Sequence, residues 1–197
     1  MRHGYRHRVP WLRSTALGAT LAVLAATANA IPSWFDVTGV ARADRSAPMQ
    51  AVEFLSLILD SGWAWAVAAI VAGRLCRRWW AGSVTLVVAA LLYDTLESVI
   101  ADGSWWGNVR AFWVVGGALL GVPLGIIGAA IHRRGRWGSL ASLVAPSGAA
   151  LAMVVHPPDP DSAMATPVRV TVLTAAAVLA AAVIWARRPA AAPAARV

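Results

Sequence analysis

The sequence predicts an all-α fold, a polytopic bundle of about six transmembrane helices with both termini on the cytoplasmic side. Two observations predict it. The first is composition: 59% of the 197 residues are hydrophobic and 13% are charged, whereas soluble domains hold roughly 45–50% apolar and about 25% charged residues. The second is that the arginines cluster between long apolar runs, which is typical of topology signals in a membrane protein.

The apolar runs are each about long enough to cross a hydrocarbon core of roughly 30 Å at 1.5 Å per residue. They predict spans near 15–35, 51–73, 79–101, 111–131, 137–155 and 170–186, within a single transmembrane domain over 15–186. A basic cytoplasmic segment, 1–14, precedes this domain. The Ala- and Pro-rich tail, 187–197, carries too little large apolar surface to fold, and we expect it to be disordered on the cytoplasmic side.

The distribution of the arginines predicts the topology. With the N-terminus inside, thirteen of the 17 basic residues fall in cytoplasmic segments and four in outer ones, as the positive-inside rule requires. The thirteen are Arg2, Arg6, Arg8, Arg13, Arg74, Arg77, Arg78, Arg133, Arg134, Arg136, Arg187, Arg188 and Arg196, and the four are Arg42, Arg45, Arg110 and Arg169. The net charge of +8 is thus explained by topology, and no nucleic-acid partner is predicted.

The first span has two interpretations. Ala28-Asn29-Ala30 has the A-x-A form of a signal-peptidase site after a short apolar region, so the segment could be a cleaved signal that leaves five spans. We favour a retained helix, because apolar and aromatic residues continue through Ile31, Trp34 and Phe35. Both interpretations leave residue 36 outside.

The second span is also ambiguous. One continuous helix over 51–73 would place Trp63 and Trp65 near the middle of the membrane, although tryptophan prefers the interfaces. A break at Asp60-Ser61-Gly62, with Asp60 or Ser61 as the N-cap of a new helix, would remove this conflict by making 49–59 an outer interfacial helix. The second half would then cross with about 13 apolar residues, roughly 20 Å. We expect the continuous or kinked helix.

Carboxylates inside the spans are the candidate functional groups, because burying a charge in a membrane is costly. Asp94 and Glu97 share one face of the third span, and Asp60 would lie at similar depth on an antiparallel second span, with Glu53 nearer the outer edge. One hypothesis is a cation or proton site that opens outward. The other is a set of structural ion pairs, with Arg110 and Arg169, at the outer starts of their spans, as counter-ions.

Three glycines of the fourth span, Gly117, Gly121 and Gly125, form a double small-x-x-x-small pattern on one helix face. Such a face lets two helices approach closely where lipid offers no hydrophobic driving force. We expect it to pack against the fifth or sixth span within the chain. A dimer face is the alternative.

Enzyme chemistry is not predicted. The chain lacks the Gly-x-Gly-Asp partner of aspartyl intramembrane proteases, as well as His-Glu-x-x-His, Gly-x-Ser-x-Gly and phosphate-binding Gly-Lys motifs. Its single cysteine, Cys76, excludes an internal disulfide and a multi-cysteine metal site. His132 and His156 fall at opposite ends of two spans, as interfacial histidines do. We expect no catalytic residue, metal or cofactor.

A resemblance adds to this interpretation. At Leu59-Asp60-Ser61-Gly62-Trp63-Ala64-Trp65-Ala66-Val67, with Ala72-Gly73 and the glycine-rich stretch 116–128, the chain resembles an uncharacterised family of small multi-pass membrane proteins from high-GC Gram-positive bacteria. The resemblance covers roughly 15–156. It implies a location in the bacterial plasma membrane and a multi-pass architecture, and it transfers no activity and no site residue.

The sequence therefore predicts an integral membrane protein, most simply a non-catalytic accessory or structural one. The alternative is a small transporter or channel that carries protons or cations through the acidic cluster. The lipid bilayer is the expected partner, and a homo-oligomer or another membrane protein is left open.

Overall fold

The computed structural model describes residues 5–34, 44–103 and 110–187, with side chains throughout these ranges except at 5–8, 32–34 and 102. Within them it contains seven α-helices and no β-strand, which confirms the predicted all-α class. The helices are α1 (Tyr5–Trp34), α2 (Ala47–Leu59), α3 (Gly62–Cys76), α4 (Ala81–Asp102), α5 (Ala111–Ala130), α6 (Arg136–Val155) and α7 (Ala165–Ala186). The predicted disorder of the C-terminal tail concerns residues that, beyond Arg187, lie outside the described ranges.

The helices have the dimensions of membrane spans. Five of those described, α1, α4, α5, α6 and α7, are long and apolar enough to cross a bilayer. The pair α2 and α3 adds a sixth if it is counted as one bent span. The chain is therefore consistent with a multi-pass integral membrane protein of about six spans.

Contacts between helix ends show that successive spans run antiparallel. The Arg187 guanidinium, after α7, donates to the Ile131 carbonyl after α5 and to the Ser142 hydroxyl on α6, both at 2.9 Å. The His132 imidazole lies 2.9 Å from the Arg74 carbonyl on α3. This end of the bundle, called the arginine end, also carries the arginines of the α3–α4 and α5–α6 turns. The opposite end is called the acidic end.

The second span is broken, so the expectation of a continuous or kinked helix over 51–73 is wrong. α2 ends at Leu59, α3 begins at Gly62, and the two axes are bent by 61°. Ser61 occupies the N-cap position of α3 with an extended backbone, and its hydroxyl donates to the Ile58 carbonyl. The Trp65 indole donates to the Leu59 carbonyl at 2.9 Å. The break persists because side chains satisfy carbonyls that it frees from the helix ladder.

The bend lets α2 pack against α6 and α7. Phe54, Leu57 and Ile58 of α2 contact an apolar cluster formed by Met153 of α6 and Val168 of α7. Trp63, just after the break, packs on the same cluster. Trp63 therefore lies against protein, which accounts for a tryptophan that a continuous helix would misplace.

The glycine face of α5 packs within the chain, as expected, but its predicted partner is wrong. It lies on the α3–α4 hairpin and not on α6 or α7. A methyl group on Gly125 would overlap the Trp79 carbonyl, and one on Gly121 would overlap the backbone of Ser83. Gly117 lies against Leu86. The partner helices also present glycines at the contact, so two backbones without Cβ atoms approach each other directly.

α1 is packed as closely as the later spans. A methyl group on Gly18 would overlap the Thr85 carbonyl of α4. The Thr85 hydroxyl donates to the Ser14 carbonyl at 3.1 Å, and the Ser14 hydroxyl lies 3.3 Å from the Cys76 sulfur. Leu17 of α1 also packs on a buried cluster formed by Ala72, Cys76 and Ala81. Whether this segment is retained or cleaved stays a prediction.

Candidate functional site: an acidic cavity near the helix break

One cavity of about 540 Å³ gathers most of the charged side chains singled out from the sequence. It lies between α3, α4 and α5 towards the acidic end. Three carboxylates and a single arginine line it, together with an asparagine, a tyrosine, three further aromatic rings and small or aliphatic residues. The polar and aromatic members are Asp60, Asp94, Glu97, Arg110, Asn29, Tyr93, Trp65, Phe112 and Trp113.

Asp94 is the most buried of the three acids, with 3% of its surface exposed. Its Oδ2 accepts the backbone N–H of Arg110 at 2.8 Å, and Arg110 occupies the N-cap position of α5. The carboxylate thus satisfies a backbone donor at the start of that helix. This contact supplies a structural role for Asp94 and leaves the carboxylate in the wall of the cavity.

Glu97 and Arg110 form an ion pair at the cavity rim. Nη2 of Arg110 lies 3.0 Å from Oε2 of Glu97, and the two side chains are 54% and 46% exposed. The Arg110 guanidinium thus pairs with Glu97, whereas its contact with Asp94 is made by the backbone N–H. Three carboxylates still face one guanidinium, so the cavity is acidic on balance.

Asp60 approaches the cavity from the other side. It is the C-cap residue of α2 at the helix break, and it is exposed. Within the described ranges it forms no ion pair. The break thus brings a carboxylate from the second span to the same cavity as Asp94, although the two residues are 34 positions apart in the chain.

Arg169 is not brought to the cluster. It is exposed on α7, it does not line the cavity, and within the described ranges it has no ion-pair partner. The acid with a second arginine is instead Glu53, whose Oε2 lies 3.5 Å from Nη1 of Arg45. The Ser162 hydroxyl donates to Oε1 of Glu53 at 2.6 Å. The sequence analysis named Glu53 but paired it neither with Arg45, eight residues earlier, nor with Ser162, which is 109 residues away.

A chain of neutral polar groups joins three helices beside the cavity. The Asn29 amide of α1 donates to the Tyr93 hydroxyl of α4 at 2.7 Å, and the Ser56 hydroxyl of α2 donates to the Asn29 carbonyl oxygen. Tyr93 also meets Trp65 edge to face, with ring centroids 5.8 Å apart. The available signal was an asparagine and a serine inside apolar runs. In the sequence, Asn29 stands out only as part of the Ala28-Asn29-Ala30 cleavage pattern.

Glu97→Gln is expected to change stability little, because an exposed ion pair contributes less than about 1 kcal/mol. The measurement is the thermal midpoint of the purified protein in mild detergent, with Arg110→Gln as the partner variant. Glu97→Gln should leave the midpoint nearly unchanged. A large loss would show that the pair at the rim is a main support of the bundle.

Neither a metal-binding pattern nor a known relative identifies the site. Within the described ranges, no group of three or more His, Cys, Asp or Glu side chains is placed to hold a metal ion. No family model, curated protein or solved structure matches the chain. Membership of the family of small membrane proteins from high-GC Gram-positive bacteria stays a prediction. The function is therefore inferred from the chemistry of the cavity.

Proposed function

We propose that this chain is a non-catalytic multi-pass protein of the bacterial plasma membrane, whose outward-opening cavity binds a cation. The orientation rests on the positive-inside rule, which assigns the arginine end and both termini to the cytoplasmic side. The acidic end and the cavity then lie in the outer half of the membrane. This orientation gives a ligand access from outside the cell.

One observation carries the proposal: Asp60, Asp94 and Glu97, from two separate spans, converge on one cavity that holds a single arginine. Asp60 comes from the point where a span is interrupted. In transporters, discontinuous helices supply binding sites near the middle of the membrane. The combination of acids with an interrupted helix therefore supports cation binding more directly than the acids would alone.

The size and lining of the cavity favour an organic cation. Small-molecule sites commonly measure about 300–1,000 Å³ and combine apolar walls with a few placed polar groups, and this cavity of about 540 Å³ does so. Trp65, Tyr93 and Trp113 supply aromatic rings near the acids. Cations bind to the faces of such rings. An alkylammonium or a lipophilic cation would match both features.

The accessory or structural role makes a different prediction for the same residues. If the acids serve only as ion pairs and helix caps, the cavity has no ligand. Neutralising Asp60 then has no effect on cation binding. Asp60 is the informative residue, because it has no ion-pair partner within the described ranges. Asp94, which caps α5, reports on both roles.

Asp60→Asn is expected to weaken cation binding about tenfold or more, which corresponds to about 1.4 kcal/mol of lost attraction. Purified protein in lipid nanodiscs is titrated with tetramethylammonium and with tetraphenylphosphonium, and binding is followed by calorimetry. Asp94→Asn should weaken binding as well, because it removes a charge from the wall while the amide oxygen can still accept the Arg110 N–H.

The matched control is Asp161→Asn, which neutralises an exposed acid of the α6–α7 connection outside the cavity. It should bind both cations as the unmodified protein does. Thermal midpoints establish that each variant is folded. If the unmodified protein binds neither cation, or if Asp60→Asn and Asp161→Asn behave alike, the accessory role is favoured instead.

A further inference from the structure

We infer that a groove between α1 and α3 holds one anionic phospholipid, with its phosphate on Arg13 and an acyl chain along the groove. The groove has a volume of about 510 Å³. It is separate from the acidic cavity and shares no lining residue with it. The inference is therefore independent of the proposed cation site.

The groove follows one face of α1. Its α1 residues are Arg13, Ala16, Leu17, Thr20, Leu21 and Leu24, which recur at the three- and four-residue steps of a helix. Ala68 and Leu75 of α3 form the other wall. Arg13 lies at one end of the groove, and the other lining side chains are aliphatic apart from Thr20.

The length of the groove matches one leaflet of a bilayer. From residue 13 to residue 24, α1 rises about 16 Å at 1.5 Å per residue. Half of a hydrocarbon core of roughly 30 Å is about 15 Å. An acyl chain that starts beside Arg13 would therefore reach the bilayer midplane near Leu24, which is the dimension expected for one lipid chain and too short for a chain that crosses both leaflets.

The arginine lies at the depth of lipid headgroups. Trp11, two residues earlier, stacks on Trp80 with ring centroids 4.2 Å apart, and half of its surface is exposed. Tryptophans of this kind mark the membrane interface. Arg13 is exposed, and no acidic side chain appears among the described residues that line the groove. Within the described ranges Arg13 forms no ion pair, so its guanidinium can bind a phosphate, for which its planar fork of donors is well suited.

Shape and charge together separate this site from ordinary lipid contact. A single helix surface meets lipid chains on one side only, whereas the groove offers a chain contacts from both α1 and α3. The arginine then selects the headgroup, since a basic residue near the membrane surface attracts anionic lipid. The expected ligand is a phospholipid with net negative charge.

The test counts the lipids that stay bound. The full chain is reconstituted in nanodiscs of equal parts phosphatidylglycerol and phosphatidylcholine, released into mild detergent, and analysed by native mass spectrometry. The unmodified protein should retain about one phosphatidylglycerol in preference to phosphatidylcholine. Arg13→Gln should reduce this preference about fivefold, which is the factor that corresponds to about 1 kcal/mol.

Two further variants test the groove itself. Ala16→Phe keeps the arginine and fills the groove, so it should lose the retained lipid, while Val23→Phe, an exposed α1 position outside the groove, should keep it. Arg134→Gln controls for the loss of one exposed arginine at the same end of the bundle. Size-exclusion profiles confirm folding. Equal retention of both lipids, no retention, or an Arg13→Gln variant that matches Arg134→Gln would overturn the inference.

Discussion

Gly125→Ala is expected to lower the stability of the bundle by about 1–3 kcal/mol, the usual cost of inserting an atom into a closed contact. The added methyl would overlap the Trp79 carbonyl and lie 3.1 Å from the Gly82 nitrogen. Both obstacles are backbone atoms, so no side-chain rotation can make room. α5 would have to move away from the α3–α4 hairpin as a whole.

The effect should be large because the contact is a main attraction between these helices. In a bilayer, an apolar side chain gains little free energy when it moves from lipid to a helix interface, because both surroundings are apolar. Helices therefore associate through close packing and hydrogen bonds. The Ser83 hydroxyl, which donates to the Ala118 carbonyl at 2.9 Å, depends on the same close approach. Separation of α5 would weaken that bond as well as the van der Waals contact.

Gly116→Ala is the matched control. It makes the same substitution on the same helix, at a position where an added methyl has no atom within 4 Å. Alanine is the better helix former, so this variant should be neutral or slightly more stable. The measurement is the temperature at which half of the protein is lost from the monodisperse peak after heating in mild detergent. Equal midpoints for the two variants would show that the glycine contact contributes little.

The fold class could be predicted because a membrane leaves few alternatives. Backbone polar groups must be satisfied inside each span, so long apolar runs form helices. The break at Ser61 was harder to predict. The sequence shows a possible N-cap residue there, but the contacts that stabilise the break are tertiary. Trp65 satisfies the Leu59 carbonyl, and α2 gains a packing surface on α6 and α7. Neither contact can be seen in a local pattern.

The site was predicted as far as charge could indicate it. Asp60, Asp94, Glu97 and Arg110 stood out because a charge in an apolar run is costly, and the structure brings all four to one cavity. Arg169 stood out equally and lies elsewhere, since position along the sequence gives depth but not which helices are neighbours. The same limit explains the wrong partner for the glycine face of α5.

Neutral polar groups were missed for the opposite reason. Burial costs little free energy for neutral polar side chains that form hydrogen bonds with one another, as Asn29, Ser56 and Tyr93 do. Such residues therefore do not stand out in the sequence as a charge does. Their network joins three helices. A search for uncharged polar residues within predicted spans would have found its members, although it would not have paired them.

Glu53→Ala is expected to destabilise the protein by about 3 kcal/mol, because it removes one member of a largely buried ion pair and leaves the other uncompensated. Glu53 is 8% exposed, and the side chain of its partner Arg45 is 16% exposed. Ser162 would also lose the acceptor of its hydroxyl, and the oxygen of that hydroxyl accepts the Met164 N–H at the start of α7. Glu53→Gln keeps the shape and an acceptor, so it should lose less.

Glu97→Gln is the comparison for Glu53→Gln. Both variants neutralise a glutamate that is paired with an arginine, but Glu53 is buried and Glu97 is exposed. Thermal midpoints should rank Glu53→Ala below Glu53→Gln, and Glu53→Gln below Glu97→Gln. Equal midpoints for the two glutamine variants would mean that the Glu53 pair is no stronger than the one at the rim.

Glu53→Gln also tests how the fold positions the cavity. Glu53 does not line the cavity, but it holds α2 to the α6–α7 connection, and Asp60 is the next residue after α2. If that attachment fixes the bend between α2 and α3, Glu53→Gln should weaken tetramethylammonium binding in folded protein by several-fold, without touching the ligand. Unchanged binding would mean that the Trp65 and Ser61 hydrogen bonds hold the break on their own, because those contacts lie at the break itself.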